Sequence, residues 1–79
     1  MKVAAIHHIS DKEGFYNAVS KATEAGLPEG FDLPYQYAAV DGKTHICIWE
    51  APSSEAVSEI VEGIVGPFAK NEVMEVRPA

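Results

Sequence analysis

The chain has 79 residues, with 12 acidic and 6 basic side chains and a net charge of −6. That length makes one domain, residues 1–79. The basic residues (Lys2, Lys12, Lys21, Lys43, Lys70 and Arg77) are scattered and form no stripe that would meet a phosphate backbone or an anionic bilayer, which argues against nucleic acid and membrane as partners.

No apolar run approaches the ~20 residues of a membrane span. The opening MKVAAIHHIS interrupts its short apolar run with histidines and makes a poor signal peptide. With a single unpaired cysteine, Cys47, the expected compartment is cytoplasmic. A core of this size rarely supplies more than about 3–5 kcal/mol. One cysteine forms no internal disulfide, and no CxxC or HExxH spacing offers a structural metal. Self-association is the remaining way to bury more apolar surface, at roughly 25 cal/mol per Å², so a homodimer is expected.

In chain order, residues 2–9 are rich in Val and Ile and read as a strand. Ser10 with Glu13 three residues later has the form of a capping box. The helix that follows runs to about Ala25, with Phe15, Ala18, Val19, Ala22 and Ala25 on one face. Gly26 and Pro28 end it. Residues 27–34 read as a loop whose Phe31 and Leu33 are too apolar to stay solvated; they belong under the domain or against a partner chain.

Residues 35–40 and 43–50 form a hairpin about Asp41-Gly42, a dipeptide suited to a two-residue type I′ turn. That register sets Ala38 opposite His45 and Gln36 opposite Cys47. Alternation then sorts Tyr35, Tyr37, Ile46 and Ile48 onto one face, and Gln36, His45, Cys47 and Trp49 onto the other. Pro52 ends the strand and Ser53 or Ser54 caps a second helix. Its stripe is Ala56, Val57, Ile60, Val61 and Ile64; Glu55, Glu59 and Glu62 are solvated. Gly63 within it implies close packing, since glycine costs about 1 kcal/mol in a helix. Gly66-Pro67 stops the helix, and residues 71–77 read as a last strand.

The order βαββαβ is the split-βαβ, ferredoxin-like α+β pattern: a four-stranded antiparallel sheet, order 4-1-3-2, with both helices on one face. The other face is bare and is expected to carry Trp49 and Cys47, an apolar patch that calls for a partner. Two such sheets face to face would form a dimeric barrel.

The run C-I-W-E-A-P-S-S-E-A-V, residues 47–57, resembles the small dimeric α/β-barrel family, in particular an uncharacterised branch whose third strand ends in an aromatic-Glu-Ala-Pro step and which includes a nickel-binding member. The resemblance implies a dimer and makes nickel or another divalent transition metal a candidate cofactor. The wider superfamily also holds cofactor-free monooxygenases, haem-degrading enzymes and stress-responsive proteins.

Two sets of residues carry candidate chemistry. His45 and Cys47 share a strand face, and an imidazole with a thiolate suits nickel, zinc or copper; His8, or His7 in its place, is the candidate third ligand from the neighbouring first strand, and Glu50 joins only if the bend at Pro52 turns it inward. Alternatively, Gln36, Trp49 and His7 line a pocket for a small organic molecule. The expected function is a small homodimeric binding or accessory protein for a divalent metal or small organic ligand. The alternative is a cofactor-independent monooxygenase- or isomerase-like enzyme with its pocket on the sheet face.

Overall fold

A computed structural model describes all 79 residues, in the order β1 (Lys2–Ile9), α1 (Lys12–Ala25), β2 (Asp32–Ala38), β3 (Thr44–Glu50), α2 (Ser54–Val65) and β4 (Ala69–Glu75). The four strands form one antiparallel sheet in the order β2-β3-β1-β4. This is the ferredoxin-like α+β fold. The molecule measures 30 × 30 × 18 Å. The short axis holds one sheet layer and one helix layer, so one sheet face is left uncovered.

The helices cover the face that carries Trp49 and Cys47, opposite to the expectation. Val3, Ala5, Cys47 and Trp49 are buried in one cluster with Phe15 of α1 and Val57, Val61 and Val65 of α2. The bare face carries Ile6, Ile46, Ile48, Tyr35, Tyr37 and Met74, the tyrosines and Met74 well exposed. The pleat sorted the side chains as alternation requires. Alternation alone does not say which set the helices cover; the apolar content of the two sets was too similar to decide it.

Local details also differ from expectation. The cap of α1 is Asp11, whose carboxylate accepts the Gly14 N–H at 3.0 Å, rather than Ser10. The N–H groups of Ser10 and Asp11 both donate to Phe68 O, which holds the segment extended for one residue more. Gly14 is required here, because a Cβ at that position would lie 2.5 Å from the Phe68 ring. Ser53 caps α2, accepting from the Ala56 N–H at 3.0 Å.

Strand β2 starts earlier than expected and takes in Pro34, which an edge strand tolerates. A register irregularity separates Asp32 from Tyr35. The hairpin keeps the expected pairs (Ala38 with His45, Gln36 with Cys47) but turns differently. Gly42 N–H donates to Ala39 O at 2.9 Å, and only Gly42 of the turn has positive φ. A type I′ turn would need Asp41 there too, so a wider turn spans residues 40–43 with the same register.

Strand β4 also starts and ends two residues earlier than expected. Gly63 is exposed, and a Cβ there would meet nothing within 4 Å, so close packing does not account for it.

Two stability outcomes follow. Gly63→Ala is expected to raise the unfolding free energy by about 0.5–1 kcal/mol in urea titration, since it removes chain entropy without creating a contact. Phe15→Ala removes a fully buried ring and is expected to cost about 3–5 kcal/mol, enough to leave the chain largely unfolded by circular dichroism at 25 °C.

Candidate functional site

Strand β1 brings His7 to the helix-covered face, and β3 brings His45 to the same face directly opposite it. Their ring centroids are 6.0 Å apart, and the ring of Phe15 lies 5.3 Å from His7 and 5.5 Å from His45. The two imidazoles are the only buried polar side chains, at 3% and 7% exposure. Buried polar groups of this kind persist where hydrogen bonds satisfy them.

His7 is held by a chain of two further side chains. Asn71 of β4 donates its amide to Glu62 Oε1 at 3.0 Å and to Ala69 O at 3.3 Å, both acceptors. Its Oδ1 therefore faces His7 Nδ1, at 2.6 Å. A carbonyl oxygen only accepts, so His7 carries its proton on Nδ1. The lone pair is left on Nε2, which makes no bond to the chain.

His45 has the opposite arrangement. Its Nε2 donates to Gln36 Oε1 at 3.0 Å, and its Nδ1 accepts from the Tyr16 hydroxyl at 3.2 Å. Both of its nitrogens are therefore engaged. Burial lowers the pKa of both histidines below 6.5; for His7 the Asn71 bond and the Glu62 charge oppose the shift, and for His45 the His7 ring adds to it.

A partly open cavity of about 60 Å³ lies between the sheet and the helices. Its lining includes His7, Gln36 and Trp49, the three residues named from sequence for a small-molecule pocket, together with Cys47 and a majority of apolar side chains such as Phe15 and Leu33. At about 10–15 Å³ for a water-sized sphere, this is room for roughly four small groups. Trp49 Nε1 is the one buried side-chain nitrogen or oxygen with no hydrogen-bond partner. An unpaired buried donor costs about 1–3 kcal/mol.

The structure does not bring the metal set together. His8 lies on the bare face, exposed, 3.2 Å from Glu72 across β1 and β4. Glu50 is turned toward Lys2 Nζ at 3.3 Å and the N-terminal amine at 3.9 Å. Burial pushes the Cys47 thiol up to about 12, so a soft metal would have to displace its proton to bind there. With both nitrogens of His45 engaged, the residues do not fit a nickel site, and no group of three or more His, Cys, Asp or Glu side chains is arranged to hold a metal ion.

No family model, curated protein or solved structure matches this chain. The site stands on its geometry.

Asn71 and Glu62 belong to the site and were not visible from sequence. Glu62 sits in a solvated helix face, and Asn71 in a weakly alternating strand. Their only signal is the sheet order, which sets Asn71 beside His7.

Proton linkage gives a signed expectation. Below pH 6.5 the unfolded chain protonates His7 and His45 while the folded chain resists, so the unfolded state binds more protons and stability falls as pH is lowered through that window. Urea midpoints should therefore drop between about pH 7.5 and 5.5, and His7→Gln should make the pH dependence shallower.

Proposed function

We propose that this domain is a homodimeric binding protein for a small, mostly apolar organic molecule, held in the cavity between helices and sheet. The observation that carries the reading is the polar equipment of a mostly apolar cavity: His7, whose Nε2 makes no hydrogen bond to the chain, and Gln36, whose amide nitrogen is not used by His45. Ligand pockets have this make-up, with apolar walls and a few polar groups that set orientation. An organic ligand is favoured over a divalent metal because His8 lies on the other face from His45 and Cys47 and both nitrogens of His45 are engaged.

The bare sheet face supports the dimer. Seven-residue strands at about 3.3 Å per residue and about 4.8 Å spacing give four strands a face of roughly 400 Å². Its apolar part is the exposed Tyr35, Tyr37 and Met74 with the half-buried Ile6, Ile46 and Ile48, a surface for a second copy to cover. Tyr35 and Tyr37 stack on it with centroids 6.5 Å apart. Lys2 and Lys70 at its margins, with Glu50 and Glu72, offer both signs of charge to a second copy. The resemblance noted from residues 47–57 points to the same assembly.

Two measurements test the reading. Light scattering should give the mass of a dimer for the native chain and of a monomer for Tyr35→Glu/Tyr37→Glu, whose exposed side chains leave the core untouched; a native monomer overturns the dimer. Amide chemical shifts in a titration with small ketones, alcohols and carboxylic acids of three to six carbons should move around the cavity, and Ala22→Leu, which enlarges a lining side chain, should abolish the response. Shifts that ignore this substitution, or none at all, remove the cavity as the ligand site.

A further inference from the structure

We propose that His7 is the base of a cofactor-free proton shift on a small carbonyl compound bound in this cavity, with Asn71 and Glu62 as its positioning residues. The inference rests on the reading of the cavity as a ligand site and adds a substrate class and a reaction to it.

The argument starts from the Nδ1 proton. Glu62 and Ala69 O take both amide protons of Asn71, so Asn71 presents only an acceptor to His7. The carboxylate–amide–imidazole chain thus fixes one tautomer, with the basic lone pair on Nε2. His45 in the same core has both nitrogens engaged. His7 has one engaged, and it lines the cavity. A general base requires an orienting partner and a free lone pair beside the substrate; His7 has both.

A second polar group at the cavity suits a carbonyl oxygen. Gln36 accepts from His45 through its oxygen, which leaves its amide N–H groups as donors. Apart from Thr23, whose hydroxyl donates to Val19 O, the remaining walls are apolar and disfavour a carboxylate or phosphate, and the volume suits a molecule of a few heavy atoms with part of it at the open side. The nearby thiol takes no part as a nucleophile, because Cys47 keeps its proton.

The step balances without a co-reactant. His7 Nε2 takes a proton from the carbon next to the carbonyl, the C–H pair becomes the enolate π bond, and the developing charge on oxygen accepts from the Gln36 amide. The imidazolium then returns a proton to oxygen, giving the enol, or to the same carbon, giving back the carbonyl compound with its hydrogen exchanged for one from solvent. The positive charge on His7 is opposed by burial and favoured by Asn71 and Glu62. The ionisable groups around His7 are Glu62 from α2, reached through Asn71; His45 and Cys47 from β3; Tyr16 from α1, reached through His45; and His8 on its own strand.

The test is exchange of carbon-bound hydrogen for deuterium in hydroxyacetone and in 2,3-butanedione, followed by proton NMR in D₂O, with binding read in parallel from amide shifts. The native protein is expected to speed exchange at least tenfold over buffer, with a rate that falls as His7 is protonated. His7→Gln should return the rate to that of buffer, Asn71→Ala should lower it and release His7 into the other tautomer by imidazole ¹⁵N shifts, and His8→Gln should change neither. If His7→Gln does not fold, the native tautomer and the Asn71→Ala rate decide the matter. Binding with exchange at the buffer rate, or exchange unaffected by Asn71→Ala, overturns the proton shift and leaves the cavity reading standing. Absence of both binding and exchange overturns the two together.

Discussion

Strand β1 lies between β3 and β4 and pairs with each over most of its length, and the placement of the core and the site depends on its pleat. Val3, Ala5 and His7 point to the helices, while Ile6 and His8 point to the bare face. A central strand has no free edge, so a slip of one residue would have to occur in two ladders at once and would turn the whole core set outward. His7 is therefore held by the same constraint that holds Val3 and Ala5. The neighbours it meets, His45 on one side and Asn71 on the other, are its partners in the two ladders.

Placing two imidazoles in a core this small has an electrostatic cost that the structure reduces by keeping them neutral. Burial disfavours the charged form of each, and each meets hydrogen-bond partners that a neutral ring can satisfy. The partners differ. Tyr16 and Gln36 saturate His45 and make it part of the framework, whereas Asn71 and Glu62 satisfy one side of His7 and leave the other to the cavity. Glu62 contributes this from an exposed helix position, where its own carboxylate needs no burial. The fold itself hosts many functions; what separates this chain from a plain two-layer domain is the asymmetry between its two buried histidines.

Much of this was legible in the chain. The element order, both helix ends and the hairpin pairs follow from local signals: Gly26 and Pro28 beyond α1, Pro52 and Ser53 before α2, and a turn with glycine between two β-rich runs. The grouping of Gln36, His45, Cys47 and Trp49 follows from a period of two. Those signals act within a few residues, where backbone sterics and capping hydrogen bonds outweigh other effects. Where several local solutions compete, the sequence was a weaker guide. Ser10 and Asp11 are both good caps, and the contact of that segment with Phe68 O, from the other end of the chain, selects Asp11.

The sequence by itself determined the fold class, the register of the hairpin and which side chains share a face, because these depend on alternation and on turn and cap chemistry. Only the tertiary structure decided which face the helices cover, and with it that Trp49 and Cys47 are core while Tyr35 and Tyr37 are surface. It also separated His7 from His8 and joined Asn71 to His7 across a separation of 64 residues, with Glu62 holding Asn71. The physical reason is range. A period of two divides residues into two sets without labelling either as inside, and that label comes from helices packing across the sheet, a contact between segments distant in the chain.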